Sequence, residues 1–280
     1  MAPGRNAGPS GDGPADEPGD DPPRFNVLGV GLCAVSLEEA TRRIVARAAR
    51  RPAGYVCVTD VHGVVEARAD PALRSAVNRA FLVTPDGMPL VWLGRWHGWP
   101  GTTRVYGPDL MLAVCDRGRA LGLRHFLLGG AEGVAAELRG ALLARYPDLQ
   151  VCGAYTPPFR PMSEAELDDL AGRVAQARPD VVWVGLGTPK QERFMAEHAG
   201  RLAAGLLIGV GAAFDFHSGR KRQAPRWIQR SGLEWLFRLA SEPRRLWRRY
   251  CVGNAVFLGC LALQLAGLRR YPLGPRGEAR

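Results

Sequence analysis

Residues 180–198 read DVVWVGLGTPKQERFMAEH. Val181-Val182-Trp183-Val184 is an unbroken apolar run, and a strand without polar alternation is buried on both faces. It ends in Gly185-Leu186-Gly187, and Pro189 stands where a helix would start. A doubly buried strand that feeds a helix is the unit of a parallel sheet covered by helices.

The same unit recurs to either side. FNVLGV (25–30) reads as a strand, followed by a helix over 36–50 with a capping box formed by Ser36 and Glu39. YVCV (55–58) is the next strand, then helical VHGVVEARA and PALRSAVNRA. FLV (81–83) leads into TPDG and a short helix. GPDLMLAVCDRGRALG (107–122) is helical, and RHFLLGG (124–130) is a strand ending in glycines. A helix over 133–145, a strand near 149–153 and a helix over 163–177 follow, with a helix over 189–199 after the opening strand and LLIGVGAAFDF (206–216) closing the core. The fold class is α/β: a Rossmann-like, mostly parallel sheet with helices on both faces, plus a helical C-terminal appendage. No internal repeat is visible. Ligands of such sheets bind beyond the carboxyl ends of the strands, which singles out the loops VTDVHG, VTPDGM, LLGGAEG, GLGTPKQE and GVGAAFDF.

Composition sets the boundaries. Residues 1–23 are mostly Pro, Gly and acid, cannot offset their ordering entropy, and are expected to be a disordered tail without secretory-signal character. The core is expected over 24–220. The formal net charge is +10, yet residues 1–220 hold 24 basic and 24 acidic side chains, against 13 and 3 in residues 221–280. The basicity therefore belongs to the appendage, which should meet a lipid surface, a diphosphate or nucleic acid. Within it, residues 251–268 form a run of 18 without a charge, just short of the roughly 20 a membrane span needs. Interfacial insertion, a true span and packing against a partner all fit this run. None of the six cysteines forms a CxxC pair, so buried free thiols in a reducing cytoplasm are expected rather than a metal site.

Each motif has a functional reading and a bland one. In LLGGAEG, Gly129 and Gly130 can admit a phosphate to backbone amides at a helix start, or simply make a turn. Gln191 and Glu192 fall in the first turn of their helix, where Gln191 can read a uracil edge or a sugar hydroxyl; both can equally be solvated. Asp86, between Pro85 and Gly87, is either an Asx turn or a lone strand-end carboxylate that takes a proton from a hydroxyl. No Asp-x-Asp lies at a strand end, so no metal is expected, and arginines must offset any diphosphate. Arg238, Arg245 and Arg248 are candidates; Pro243 starts a new helix, so only Arg245 and Arg248 are expected to share one face. Trp235 and Trp247 suit a lipid interface. Arg104 and Asp109 form a further polar cluster before a helix.

TPDGMPLVW, RVYGPDLM, LLGGAEGV, GLGTPKQERF, GVGAAFDFHSG and APRWIQRSGLEWLFRLASEPRRLWRRY, in this order, resemble the WecG/TagA/CpsF family, glycosyltransferase family 26, over roughly residues 25–250. The resemblance implies an inverting, metal-independent transfer of N-acetylmannosamine or a related sugar from a UDP-sugar donor to a polyprenyl-diphosphate-linked sugar, in cell-surface polysaccharide synthesis. It implies Asp86 as general base and Thr59 near the reacting groups. His62, Arg104, Asp109, Gly129, Gly130, Gln191, Glu192 and Asp215 would line the substrates, and Arg238, Arg245 and Arg248 would fold over the donor diphosphate. His62 departs from the Asn of many relatives, and Gln223 from their Arg. The expectation is a cofactor-free enzyme, peripheral on the cytoplasmic face of the cell membrane through its appendage, with the oligomeric state open, a homo-oligomer included. A non-catalytic nucleotide-sugar-binding protein is the alternative. Nucleic acid is not an expected partner, since the core carries no net charge.

Overall fold

A computed structural model describes residues 21–274, so most of the expected tail lies outside the described residues. β1 (Arg24–Val27) and β2 (Val30–Cys33) pair antiparallel as a separate hairpin. FNVLGV is thus not one strand. Leu28 and Gly29 take φ of 52° and 88°, the left-handed pair that closes a two-residue hairpin turn. α1 (Leu37–Arg50) begins with Ser36 accepting the Glu39 N–H, but the capping box is incomplete, because the Glu39 carboxylate turns to Arg42 and Arg43. A full box instead starts α7 (Glu164–Ala177), between Ser163 and Glu166.

The remaining strands are β3 (Gly54–Thr59), β4 (Leu82–Pro85), β5 (Arg124–Gly129), β6 (Gln150–Tyr155), β7 (Val181–Gly185) and β8 (Leu206–Gly209). They form one six-stranded sheet, ordered β4-β3-β8-β7-β5-β6, with every neighbouring pair parallel. Alternate residues feed opposite cores: Val56, Leu82, Leu127, Trp183 and Ile208 on one face, Cys57, Val83, Leu128, Val182 and Leu207 on the other. That division is why the strands carry no polar alternation. The first face is covered by α1, α5 (Gly107–Arg119) and α6 (Val134–Arg145). The second is covered by α2 (Val61–Ala69), α3 (Pro71–Arg79), α7 and α8 (Lys190–His198). α4 (Met88–Trp96) follows β4, and α9 (Ala213–His217) follows β8.

Glycine is required where the β5 and β7 ends meet. Gly129 has φ of 130°, and a Cβ there would lie 2.6 Å from the Gly185 carbonyl oxygen.

Residues 221–274 continue as α10 (Arg226–Ser231), α11 (Glu234–Ser241), α12 (Pro243–Trp247), a π-turn (Arg248–Val252) and α13 (Gly253–Leu265). Pro243 starts α12, as the sequence predicts. At 1.5 Å per residue α13 is about 20 Å long, against a hydrocarbon core of about 30 Å. No helix among the described residues is long and apolar enough to cross a membrane. One side of α13 is docked: Phe257 is buried, and Gln264 accepts the Leu28 N–H at 2.9 Å and donates to the Asn26 carbonyl at 3.2 Å. Gln264, one of two polar amides in the apolar run, therefore fastens it to the β1–β2 turn.

Candidate active site

Strand register brings two carboxylates together. Thr59, the last residue of β3, pairs with Pro85, the last of β4, and the Asp86 N–H donates to the Thr59 carbonyl at 2.9 Å. Asp60 and Asp86 thus leave adjacent strand ends side by side. Asp60 caps α2, its Oδ1 accepting the Gly63 N–H at 2.9 Å, while its Oδ2 lies 2.6 Å from Arg249 Nη2 of the π-turn. Asp86 is held by Arg104, because the loop before α5 runs along the end of β4, where the Val105 N–H donates to the Pro85 carbonyl at 2.8 Å. Arg104 Nη2 and Nε reach Asp86 Oδ1 at 3.1 and 3.2 Å, and Nε also donates to the Asp86 main-chain carbonyl. On its other side Arg104 Nη2 lies 2.7 Å from Glu234 Oε2 of α11, as an ion pair rather than an in-line hydrogen bond. The guanidinium also stacks over the Tyr106 ring at 4.0 Å.

These groups line a cleft of about 420 Å³ between the strand ends and the appendage, large enough for a small-molecule substrate. Asp60, His62, Asp86, Arg104 and Tyr106 form the core wall; Glu234, Trp235, Arg238, Tyr250 and Phe257 form the appendage wall. Burial raises the Asp86 carboxyl to about 6; Arg104 opposes the shift, and the negative charges of Glu234 and Asp60 add to it. Asp60 goes the other way. Burial disfavours its charge, but Arg249, His62 and the Gly63 N–H outweigh that and bring it down to about 2. Two neighbouring carboxyls are therefore driven apart, one firmly ionised and one poised to exchange a proton near neutrality. Burial and the nearby Arg249 keep the His62 imidazole below its ordinary range.

Of the residues singled out in the sequence, the structure gathers Asp86, His62, Arg104 and Arg238 around this cleft. Thr59 is buried directly behind it at the end of β3. Gln191 and Glu192 are buried, which rules out the solvated alternative. They lie outside the cleft, where Gln191 accepts the Gly211 N–H at 3.1 Å and donates to Glu192 at 3.0 Å. Gly129 and Gly130 are outside it too, and the Gly130 N–H is already engaged by the Gly185 carbonyl at 3.1 Å. Asp109 grips Arg226 through both oxygens, and Asp215 pairs with Lys221, so both tie appendage to core. Arg245 turns to Glu242 and Arg248 lies over Trp247; both are exposed and away from the cleft. Trp235, read as a lipid-interface residue, faces the cleft and packs on Tyr250, whereas Trp247 is exposed. All six cysteines are free, but Cys251 is exposed at the cleft wall rather than buried.

Sequence reading missed Asp60, Glu234 and Arg249. Asp60 had a signal, standing at a strand end in a loop already marked as informative. Arg249 had none: the π-turn over Arg248–Val252 breaks the 3.6-residue period, and Arg249 rather than Arg248 turns inward.

The profile of a family described as "Glycosyl transferase WecG/TagA/CpsF family" matches residues 25–271. The chain is also similar to the N-acetylglucosaminyldiphosphoundecaprenol N-acetyl-beta-D-mannosaminyltransferase of Bacillus spizizenii. The two are 30% identical over 184 residues, covering 66% of this chain and 69% of that protein.

Proposed function

Because the chain belongs to the WecG/TagA/CpsF family of glycosyltransferases, we propose that it moves N-acetylmannosamine, or a closely related sugar, from UDP to a sugar carried on a polyprenyl diphosphate. The observation that carries this reading is Asp86: of the two strand-end carboxylates at the cleft, it is the one raised to about 6, and Arg104 orients it. The acceptor hydroxyl gives its proton to an Asp86 oxygen as its own oxygen attacks the anomeric carbon. The bond from that carbon to the diphosphate oxygen breaks with its electron pair, and UDP leaves. One displacement of this kind inverts the anomeric centre. Arg238 is the appendage cation that lines the cleft, and it offsets the charge developing on the diphosphate. Arg245 and Arg248 lie too far out to share this role without a movement of the appendage. The acceptor class comes from the Bacillus relative, whose name specifies a diphosphoundecaprenol-linked sugar.

The lipid carrier places the work at a membrane surface, on the cytoplasmic face in this reading. Leu263, Leu265 and Leu268 are exposed around the end of α13, near the basic pair Arg269-Arg270. Exposed leucines at a helix end with flanking arginines lie in an anionic lipid surface rather than across it.

The test is Asp86→Asn, assayed for UDP release from UDP-N-acetylmannosamine with a short lipid-diphosphate-N-acetylglucosamine analogue. Turnover should fall by about 10²–10⁴ with UDP affinity kept, the usual contribution of a positioned base. Turnover within a few-fold of wild type removes Asp86 from the mechanism. Release of UDP only when acceptor is present separates a transferase from a nucleotide-sugar binder.

A further inference from the structure

Arg104 is shared between two carboxylates from different parts of the chain. Asp86 belongs to the core, whereas Glu234 arrives on the first turn of α11. We propose that Glu234 is a positioning residue: from the appendage, it anchors the Arg104 guanidinium across Asp86 and so fixes the direction in which the base presents its oxygen. The inference rests on Asp86 acting as the base.

The geometry carries it. Arg104 is limited on three sides, by Asp86 Oδ1, by Glu234 Oε2 at 2.7 Å and by the Tyr106 ring. Both acidic partners and the arginine are largely withdrawn from water, with side chains 22%, 12% and 17% exposed. A buried cation between two carboxylates is divided between them. Without Glu234, the whole guanidinium fork becomes available to Asp86, and a carboxylate held by a full fork is a weaker base in a different orientation. The other charged groups around Asp86 do not replace Glu234. Asp60 is committed to Arg249, and His62 sits beside that pair. Arg238, on the same helix and the same wall as Glu234, is a cation and cannot take its place beside Arg104. The Tyr106 hydroxyl is buried with no hydrogen-bond partner among the described residues, and burial keeps it protonated.

The experiment compares pH–rate profiles of wild type, Glu234→Gln, Glu234→Asp and Asp86→Asn, with donor KM and Tm recorded alongside. Glu234→Gln keeps an acceptor for Arg104 but removes the charge. Its acidic limb should move to lower pH by roughly half a unit or more, with kcat lowered and donor KM within about threefold of wild type. Glu234→Asp keeps the charge on a shorter arm, so its limb should stay in place while kcat falls by about tenfold. A Glu234→Gln profile that superimposes on wild type overturns the inference, as does a loss confined to donor KM or Tm. If Glu234→Gln does not fold, Glu234→Asp decides: kcat within about twofold of wild type means that Arg104 needs no second anchor. If Asp86→Asn keeps its turnover, the base reading itself has failed. If Asp86→Asn is inactive and Glu234→Gln is indistinguishable from wild type, only the role of Glu234 falls.

Discussion

At Asp86 two needs conflict: a base must be ionised to accept a proton, yet basic enough to hold it. A carboxyl raised to about 6 meets both near neutral pH. In the proposed mechanism the working form is the deprotonated one, so kcat/KM should be level above that value and fall tenfold per unit as pH drops below it. Arg104 is the group that pulls this value down. Arg104→Met should therefore move the acidic limb to higher pH, besides lowering kcat by releasing the carboxylate. A limb that stays in place after removal of Arg104 would assign the titration to another group. Cys251, exposed at the cleft wall, gives an independent report. Maleimide should label it before the buried Cys33, Cys57 and Cys115, and a bound lipid-diphosphate-sugar analogue should slow its labelling. Equal labelling with and without that analogue would put the acceptor elsewhere.

Among the elements, α2 and the π-turn are joined by Asp60 and Arg249. Asp60→Asn keeps a side-chain oxygen to cap α2 but removes the ion pair. The Asp60 carboxyl is depressed from 3.8 to about 2, so its ionised form stabilises the fold by roughly 2 kcal/mol. The sign follows from a lowered folded value: the contribution is fully present above about pH 4 and is lost as pH falls toward 2. The stability gap between wild type and Asp60→Asn, read from urea unfolding, should be open at pH 7 and close below pH 4. A gap that does not change with pH would assign the cost to packing instead. α13 shows the same economy of polar groups, since Gln264 alone satisfies both a donor and an acceptor of the β1–β2 turn.

Across the whole molecule, the basic side chains of the appendage also serve to hold it in place. Arg226, Arg249 and Lys221 pair with Asp109, Asp60 and Asp215, so part of its charge is used to fasten it over the sheet's carboxyl ends. Arg245 is engaged by Glu242, while the exposed Arg244 and Arg248 and the leucines around the end of α13 are left for an outside surface. Leu263, Leu265 and Leu268 changed together to Ser should weaken co-sedimentation with phosphatidylglycerol vesicles and leave Tm within a few degrees. Unchanged sedimentation would move the lipid contact to another face. Removing residues 221–280 takes away Glu234, Arg238 and Arg249 at once and should abolish transfer even to a water-soluble acceptor. Transfer should survive EDTA; a loss restored by Mg²⁺ or Mn²⁺ would show that the diphosphate is held through a metal.

The sequence by itself determined the parallel sheet, the breaks at Pro189 and Pro243 and the family. These follow from periodicity, turn chemistry and motif order, which are local properties of the chain. It also singled out Asp86, because a lone acid between Pro85 and Gly87 at a strand end is a local feature. Only the tertiary structure decided which residues share the cleft. Strand register set Asp60 beside Asp86. Docking of α11 brought Glu234 to Arg104 across more than a hundred residues, and the π-turn turned Arg249 inward in place of Arg248. Gln191 and the Gly130 N–H hydrogen-bond within the fold, outside the cleft around Asp86, a placement that residue type alone does not give. Residue type and spacing fix what a side chain can bond; which partner it meets depends on contacts between segments far apart in the chain.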